Sequence, residues 1–210
     1  MIFPTKRQPI MCGRFGLDQP TKKVIATLEE AGITIRNRLN KEKLPKLNIP
    51  PSVPVITVVN KDDENILEIT KWGIKFSDKS PLIFNSRIET IREKPFWLRL
   101  FNRNRALVPM DRFYEWKRVS KKEKIPHEIY LKKSDIFFVP ALYFKIKDQV
   151  CTSLITTVPN TFMAKIHNRM PVILNAKQAK KYLTQSAEEN FELCVPYKNN
   201  SEMGMEEVEI

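Results

Sequence analysis

The sequence predicts one mixed α+β domain: a mainly antiparallel β core, barrel-like or built of two sheets, with short helices flanking it. Three observations predict this. Seven strand-like stretches follow one another between residues 53 and 157 with a single helical interruption, a pattern that disfavours a parallel doubly wound sheet. Helical spacing of apolar residues is confined to short segments near residues 20–31, 95–102, 160–167 and 175–193. A length of 210 residues with 42% apolar composition suits one sizeable core, and no internal repeat, low-complexity run or second domain boundary divides it.

The first element is a strand start in Cys12-Gly13-Arg14-Phe15. Pro20 then stands where a first helical residue is tolerated, and Val24, Ile25, Leu28 and Ala31 recur at helical spacing until Gly32 stops the run. Residues 36–52 are polar, basic and proline-marked, and Asn48-Ile49-Pro50-Pro51 predicts extended loop because residues before proline avoid the helical region. Val53 to Val59 and Ile66 to Lys71 read as strands joined by the polar turn Asp62-Asp63-Glu64-Asn65. From Pro95 to Asn102 the residues Phe96, Trp97, Leu100 and Phe101 share a helical face. Strands follow at Ala106 to Val108, Arg112 to Lys117, His127 to Leu131, Ile136 to Lys145 and Val150 to Thr157. Asn160 caps a short helix that ends at His167, and helices at Asn175 to Leu183 and Ser186 to Leu193 complete the order. The last of these carries the capping-box pair Ser186 and Glu189.

Composition narrows the function. Thirty-six Lys and Arg against 24 Asp and Glu give a formal charge of +12, which points to an anionic polymer or surface as partner. The cations gather in three clusters: Arg36, Arg38, Lys41, Lys43 and Lys46; Arg92, Lys94, Arg99, Arg103 and Arg105; Lys117, Arg118, Lys121, Lys122 and Lys124. Beside aromatic residues they fit a nucleic-acid groove better than a membrane face. Three cysteines without C-x-x-C spacing suggest neither a disulfide framework nor a zinc ribbon, and two histidines make a histidine-rich metal site improbable. No metal or other cofactor is expected. The longest apolar run, Ile136 to Phe144, is interrupted by Pro140 and falls far short of the roughly 20 residues of a membrane span. Met1 to Ile10 lacks the apolar core of a signal peptide. A soluble protein of a reducing compartment is expected, cytoplasmic and nucleoid-associated or nuclear.

Four residues invite chemistry. A cysteine directly behind Met11, if it becomes the first residue, presents a thiol and an α-amine to one aldehyde, giving an imine and then a five-membered thiazolidine. The α-amine, with a reference pKa of about 7.7 to 8.0, is roughly one-tenth free base at pH 7, whereas a lysine amine is well under a thousandth. Cys12 read alone is equally a small hydrophobe at a strand start. Alternation in Arg112 to Lys117 puts Phe113 and Glu115 on one face, and Tyr114 and Trp116 on the other. Glu115 is then a carboxylate among aromatics, suited to proton transfer if its site is dry and otherwise an edge-strand partner for a lysine. His167 stands at a helix end, from which an imidazole can enter a cleft or simply satisfy the structure. Asn85 and Arg87 in Phe84-Asn85-Ser86-Arg87 suit either a ligand or a loop.

Six stretches in order resemble the SOS-response-associated peptidase family, the abasic-site-processing proteins. They are Met11 to Phe15, Asn48 to Pro51, Trp72-Gly73-Ile74, Asn85 to Thr90, Val108 to Lys117 and Ile166 to Val172, and the likeness runs from Met11 to about Leu193. The resemblance implies an abasic-site sensor in single-stranded DNA that forms a covalent thiazolidine crosslink through an N-terminal Cys12 and shields the lesion during repair. It further implies single-turnover crosslinking, with autopeptidase (hydrolase) and lyase activities. By position it makes Cys12 the crosslinking residue, Asn85 the amide that steadies the ring, Glu115 the proton carrier and His167 the histidine that assists imine formation and ring opening. Arg14, Asn48, Arg87, Thr156 and Arg169 fall where the family grips phosphates and the abasic sugar, and Pro51, Trp72 and Trp116 fall near the DNA path. The partner so implied is single-stranded DNA bearing abasic sites, bound by a monomer without a membrane, with replication-fork partners left open.

Two departures qualify the match. Met1 to Ile10 precede Met11, so either translation starts at Met11, or a leader of residues 1–10 is removed together with Met11, or covalent activity is lost. Family members usually carry a proline and a second tryptophan after Trp-Gly to wedge DNA, where this chain has Phe76 alone. The domain is expected over residues 11–197, with 198–210 an acidic tail. Two other readings compete: a cysteine-type (auto)peptidase using Cys12 and His167, and a noncovalent single-stranded nucleic-acid-binding protein.

Overall fold

The computed structural model describes residues 13–39 and 46–210. Cys12, Lys41 and Lys43 lie outside the described residues. In chain order the elements are β1 (Arg14–Gly16), α1 (Thr21–Glu30), β2 (Arg36–Asn37), β3 (Pro54–Lys61), β4 (Glu64–Trp72), β5 (Asn85–Arg87), α2 (Ile88–Glu93), α3 (Pro95–Arg103) and β6 (Arg105–Met110). They continue with β7 (Arg112–Arg118), β8 (Lys124–Leu131), β9 (Phe137–Ile146), β10 (Gln149–Thr157), β11 (Met170–Pro171), α4 (Ala176–Thr184), α5 (Ala187–Leu193) and β12 (Met203–Glu207).

The expected barrel-like or two-sheet core takes both forms. Strands β10-β9-β6-β3-β4 run antiparallel in sequence, and a short parallel pairing of β4 with β10, Cys151 opposite Lys71 and Thr152 opposite Trp72, closes them into a ring. A second sheet, β1-β7-β8-β12, is antiparallel throughout. Alternation along the strands sorts their residues into two cores. Val58, Leu67, Leu107, Phe138 and Ile155 lie under α1, α3, α4 and α5, against Leu28, Phe101, Tyr182 and Leu183. Val55, Val59, Trp72, Val108, Val139 and Leu154 face the other way and join Phe15, Phe113 and Ile129 of the second sheet. Each such side chain, fully buried, contributes roughly 1.5–3 kcal/mol.

Two expectations are corrected. The segment expected as an acidic tail holds β12, whose Met203 to Glu207 pair with Leu131 to His127 of β8. Met203 is buried in the second core, and Gly204 lets the strand pass Tyr130, where a Cβ would meet the ring at 2.5 Å. Trp72, expected near the DNA path, is 0% exposed. Its ring stands edge-on to Phe15 at 5.0 Å and to Phe84 at 5.8 Å, so it is core rather than a stacking platform. Among the described residues no helix is long and apolar enough to cross a membrane.

Candidate functional site

The site is built where β1, β5 and the segment after β10 meet the second core. Phe15 of β1 lies opposite Phe113 of β7, and both belong to that core. Glu115, two residues beyond Phe113, shares its face and is 2% exposed. The register places Arg14 opposite Tyr114, so Glu115 is the next residue of β7 on the side where β1 begins and Gly13 follows Cys12. Tyr114 sits on the opposite face, where burial and the neighbouring Glu128 carboxylate push its phenol up to about 12.

Arg14 and Asn48 are brought together from 34 residues apart: the guanidinium donates to Asn48 Oδ1 at 2.7 Å. Asn48 occupies the left-handed region at φ 52°, which asparagine tolerates better than most residues. The adjoining Ile49 exchanges backbone bonds with Phe15, which sews the loop alongside β1. Pro51, next on this loop, and Trp116, next on β7, are both half-buried.

Across the core, β5 runs parallel to β10, with Asn85 opposite Leu154 and Arg87 opposite Thr156. Leu154 faces the second core, so Asn85 and Arg87 share that face, while Ser86 turns away to bond Ser153 at 2.8 Å. Trp72 holds this strand in place. Its indole N–H donates to the Phe84 carbonyl at 2.9 Å while its ring contacts Phe15, and thereby links β1 to β5.

Beyond β10, Asn160 Oδ1 accepts from Met163 N, capping the 3-10 turn Met163–Lys165, and His167 follows. His167 Nδ1 accepts the backbone N–H of Arg169 at 3.1 Å, which puts the proton of the neutral ring on Nε2. Burial holds the imidazole pKa below 6.5, and the charges of Lys124 and Arg169 act in the same direction. The ring is therefore neutral at pH 7. Arg169 is 9% exposed and tightly held: it donates to Glu89 through two nitrogens at 2.8 and 2.9 Å and to the Thr156 carbonyl at 2.9 Å. Its Nε is buried without a partner among the described residues.

Glu89, inside the stretch Asn85 to Thr90, is a site residue to which the sequence alone assigns no role. Its signal was the spacing Arg87-Ile88-Glu89, which puts a carboxylate in the first turn of α2. Partial burial opposes the charge of Glu89, but the Arg169 bond and the charges of Arg169 and Arg87 outweigh it and hold the carboxyl below its ordinary 4.5. A depressed carboxyl pKa adds stability that is present above about pH 4.5 and is lost as pH falls through the folded value. Glu89→Gln is accordingly expected to cost about 1–2 kcal/mol at pH 7, between exposed and buried ion pairs because the Glu89 side chain is 46% exposed. In urea melts the gap from the wild type should shrink below pH 4.5. A gap that persists undiminished at pH 3 would assign the loss to packing.

Asn85, Arg87 and Thr156 thus share the face of Leu154, Arg169 bonds Thr156 two residues after His167, Glu115 shares the face of Phe113, and Arg14 and Asn48 meet beside β1, while Trp72 supports β1 and β5 from within the second core. Among the described residues no group of three or more His, Cys, Asp and Glu is placed to hold a metal ion.

A model of the SOS response associated peptidase (SRAP) family matches residues 11–210. Abasic site processing protein YoaM of Bacillus subtilis (strain 168) is 36% identical over 184 residues, covering 82% of this chain and 79% of that protein. Abasic site processing protein YoqW of the same organism is also 36% identical over 184 residues, covering 82% and 80%. The crystal structure of a phage-related protein from Bordetella bronchiseptica superimposes with a TM-score of 0.75 at 21% identity over 94% of each chain, a likeness of fold.

Proposed function

From the premise that this chain belongs to the SOS response associated peptidase family, we propose that it captures abasic sites in single-stranded DNA through Cys12. Family membership supports abasic-site processing with DNA as the partner. The finer chemistry is our reading. Once Cys12 is the first residue, its amine adds to the C1′ aldehyde of the ring-opened sugar. The resulting carbinolamine loses water to give an imine. The thiolate then adds to the imine carbon and the nitrogen takes up a proton, closing the thiazolidine with one water released overall.

The observation that carries this reading is the register of β1 on β7, which brings the start of the strand following Cys12 to the buried carboxylate of Glu115. Glu115 delivers the proton that expels water, the neutral His167 assists proton transfer at the sugar, and Asn85 steadies the ring. Arg14, Asn48, Arg87 and Thr156 hold the sugar and its phosphates. Arg169 contributes Nε–H, a donor that its ties to Glu89 and Thr156 leave over. Pro51 and Trp116 flank the strand. The aldehyde needs an unblocked amine, so the start is Met11 with that methionine removed, or residues 1–11 are cut away.

The test is a denaturing gel of the protein incubated with a uracil-excised oligonucleotide, with intact mass read on the same preparation. A heat-stable shifted band from protein whose mass begins at Cys12 is expected. Mature protein retaining the Met11–Cys12 bond, or no band from protein that begins at Cys12, would defeat the proposal.

A further inference from the structure

The three basic clusters of the sequence have different fates. In the second, Arg92 lies over the Phe191 ring at 4.4 Å, Arg99 over Phe96 at 5.9 Å, and Arg105 donates to the carbonyls of Gln185 and Leu183 at the end of α4. Those cations serve packing and capping. In the first, Arg36 pairs with Glu64 at 3.0 Å and Lys46 with Asp18 at 3.7 Å. The third is different: Lys117, Arg118, Lys121, Lys122 and Lys124 occupy the β7–β8 hairpin, all exposed, and among the described residues none of them is in an ion pair.

The hairpin is an ordered arm. Arg118 faces Lys124 across the ladder, and the tip is tied by Val119 N–H and Ser120 N–H donating to the Glu123 carbonyl at 3.2 and 3.4 Å. Lys122 N–H and Glu123 N–H donate to Ser120 Oγ at 3.3 and 3.1 Å. Five cations against one carboxylate in eight residues leave a concentrated positive charge that the fold does not neutralise. Its position is as informative as its charge. The same strand carries Glu115, and at roughly 3.3 Å per residue Arg118 lies about 10 Å further along it. On the other strand Lys124 is close enough for its charge to act on His167.

We infer that the β7–β8 hairpin is a phosphate-binding arm that holds the backbone of the lesion-bearing single strand a few nucleotides from the captured sugar. This rests on DNA being the partner and is independent of the covalent step. An arm of unpaired cations on an ordered two-stranded scaffold neutralises phosphates without reading bases, so it adds affinity and no sequence preference.

The experiment measures equilibrium binding of the full chain to an undamaged single-stranded oligonucleotide across a salt series, for wild type and K117Q/R118Q/K121Q/K122Q. Each lost phosphate contact flattens the log–log salt slope by about 0.7 on a single strand, so four contacts flatten it by up to about 3. A fourfold rise in salt then weakens the wild type by about 50-fold more than the variant. The tip variant K121Q/K122Q is expected to show about half of that flattening. An unchanged slope overturns the proposal. So does equal flattening by K177Q/K180Q/K181Q on α4, which would make the effect one of net charge, or a change seen only with duplex. Because the oligonucleotide is undamaged, failure of covalent capture leaves this comparison standing, and a failed slope leaves the capture reading standing.

Discussion

Replacing Cys12 by alanine or serine is expected to remove the heat-stable DNA adduct, by about a hundredfold or more, while an imine remains trappable with borohydride. Both variants keep the α-amine, so the aldehyde still condenses and still loses water. What they lose is the second nucleophile. A free thiol is a few per cent thiolate at pH 7 and intrinsically very nucleophilic, whereas a serine hydroxyl closes the ring poorly and alanine not at all. The untrapped imine then returns to amine and aldehyde in water. The pattern separates the readings: borohydride-dependent capture by both variants marks a two-nucleophile mechanism at an open N-terminus. Absence of capture by both variants, in protein shown by mass to begin at residue 12, would leave the amine without a role. A stable adduct in Cys12→Ala would place the crosslink on another residue.

The strands that alternate cleanly were legible in the sequence, and the site depended on contacts that were not. Alternation in Arg112 to Lys117 puts Glu115 on the face of Phe113, and the structure keeps that face in the core. The capping box of Ser186 and Glu189 is present at α5. β5 escaped because three residues, Asn85 to Arg87, carry no periodicity, and their pairing partner on β10 is 69 residues away in sequence. Ring closure between β4 and β10 rests on two residues of each strand and leaves no local trace. Motif position puts Trp72 near the DNA path, and only the tertiary packing of Phe15 and Phe84 around it reveals a buried strut. The acidic residues after Glu202 concealed β12, whose structural signal is a buried Met203 beside the small Gly204. Charge clusters were the least legible of all, because composition does not distinguish a cation stacked on Phe191 from one offered to solvent on a hairpin.

Glu115→Gln is expected to slow adduct formation by about a hundredfold or more under single-turnover conditions at saturating DNA, the usual worth of a positioned general acid. Loss of water from the carbinolamine needs a proton delivered to its oxygen, and the amide is nearly isosteric with the carboxyl but carries no transferable proton. Bulk solvent is a poor substitute because Glu115 is 2% exposed on a face it shares with Phe113. Truncation offers a complementary test. Glu115→Ala opens a space about the size of the lost carboxyl, so added formate is expected to restore part of the rate in Glu115→Ala and none in Glu115→Gln, where the amide fills the space. His167 refines the expectation, since burial keeps it neutral at pH 7 and it is a poor source of the missing proton there. As pH falls below 6.5 towards its lowered pKa, His167 gains a proton and the Glu115→Gln defect should narrow, whereas in Glu115→Gln/His167→Ala it should not. Crosslinking by Glu115→Gln at the wild-type rate would remove the carboxylate from the mechanism.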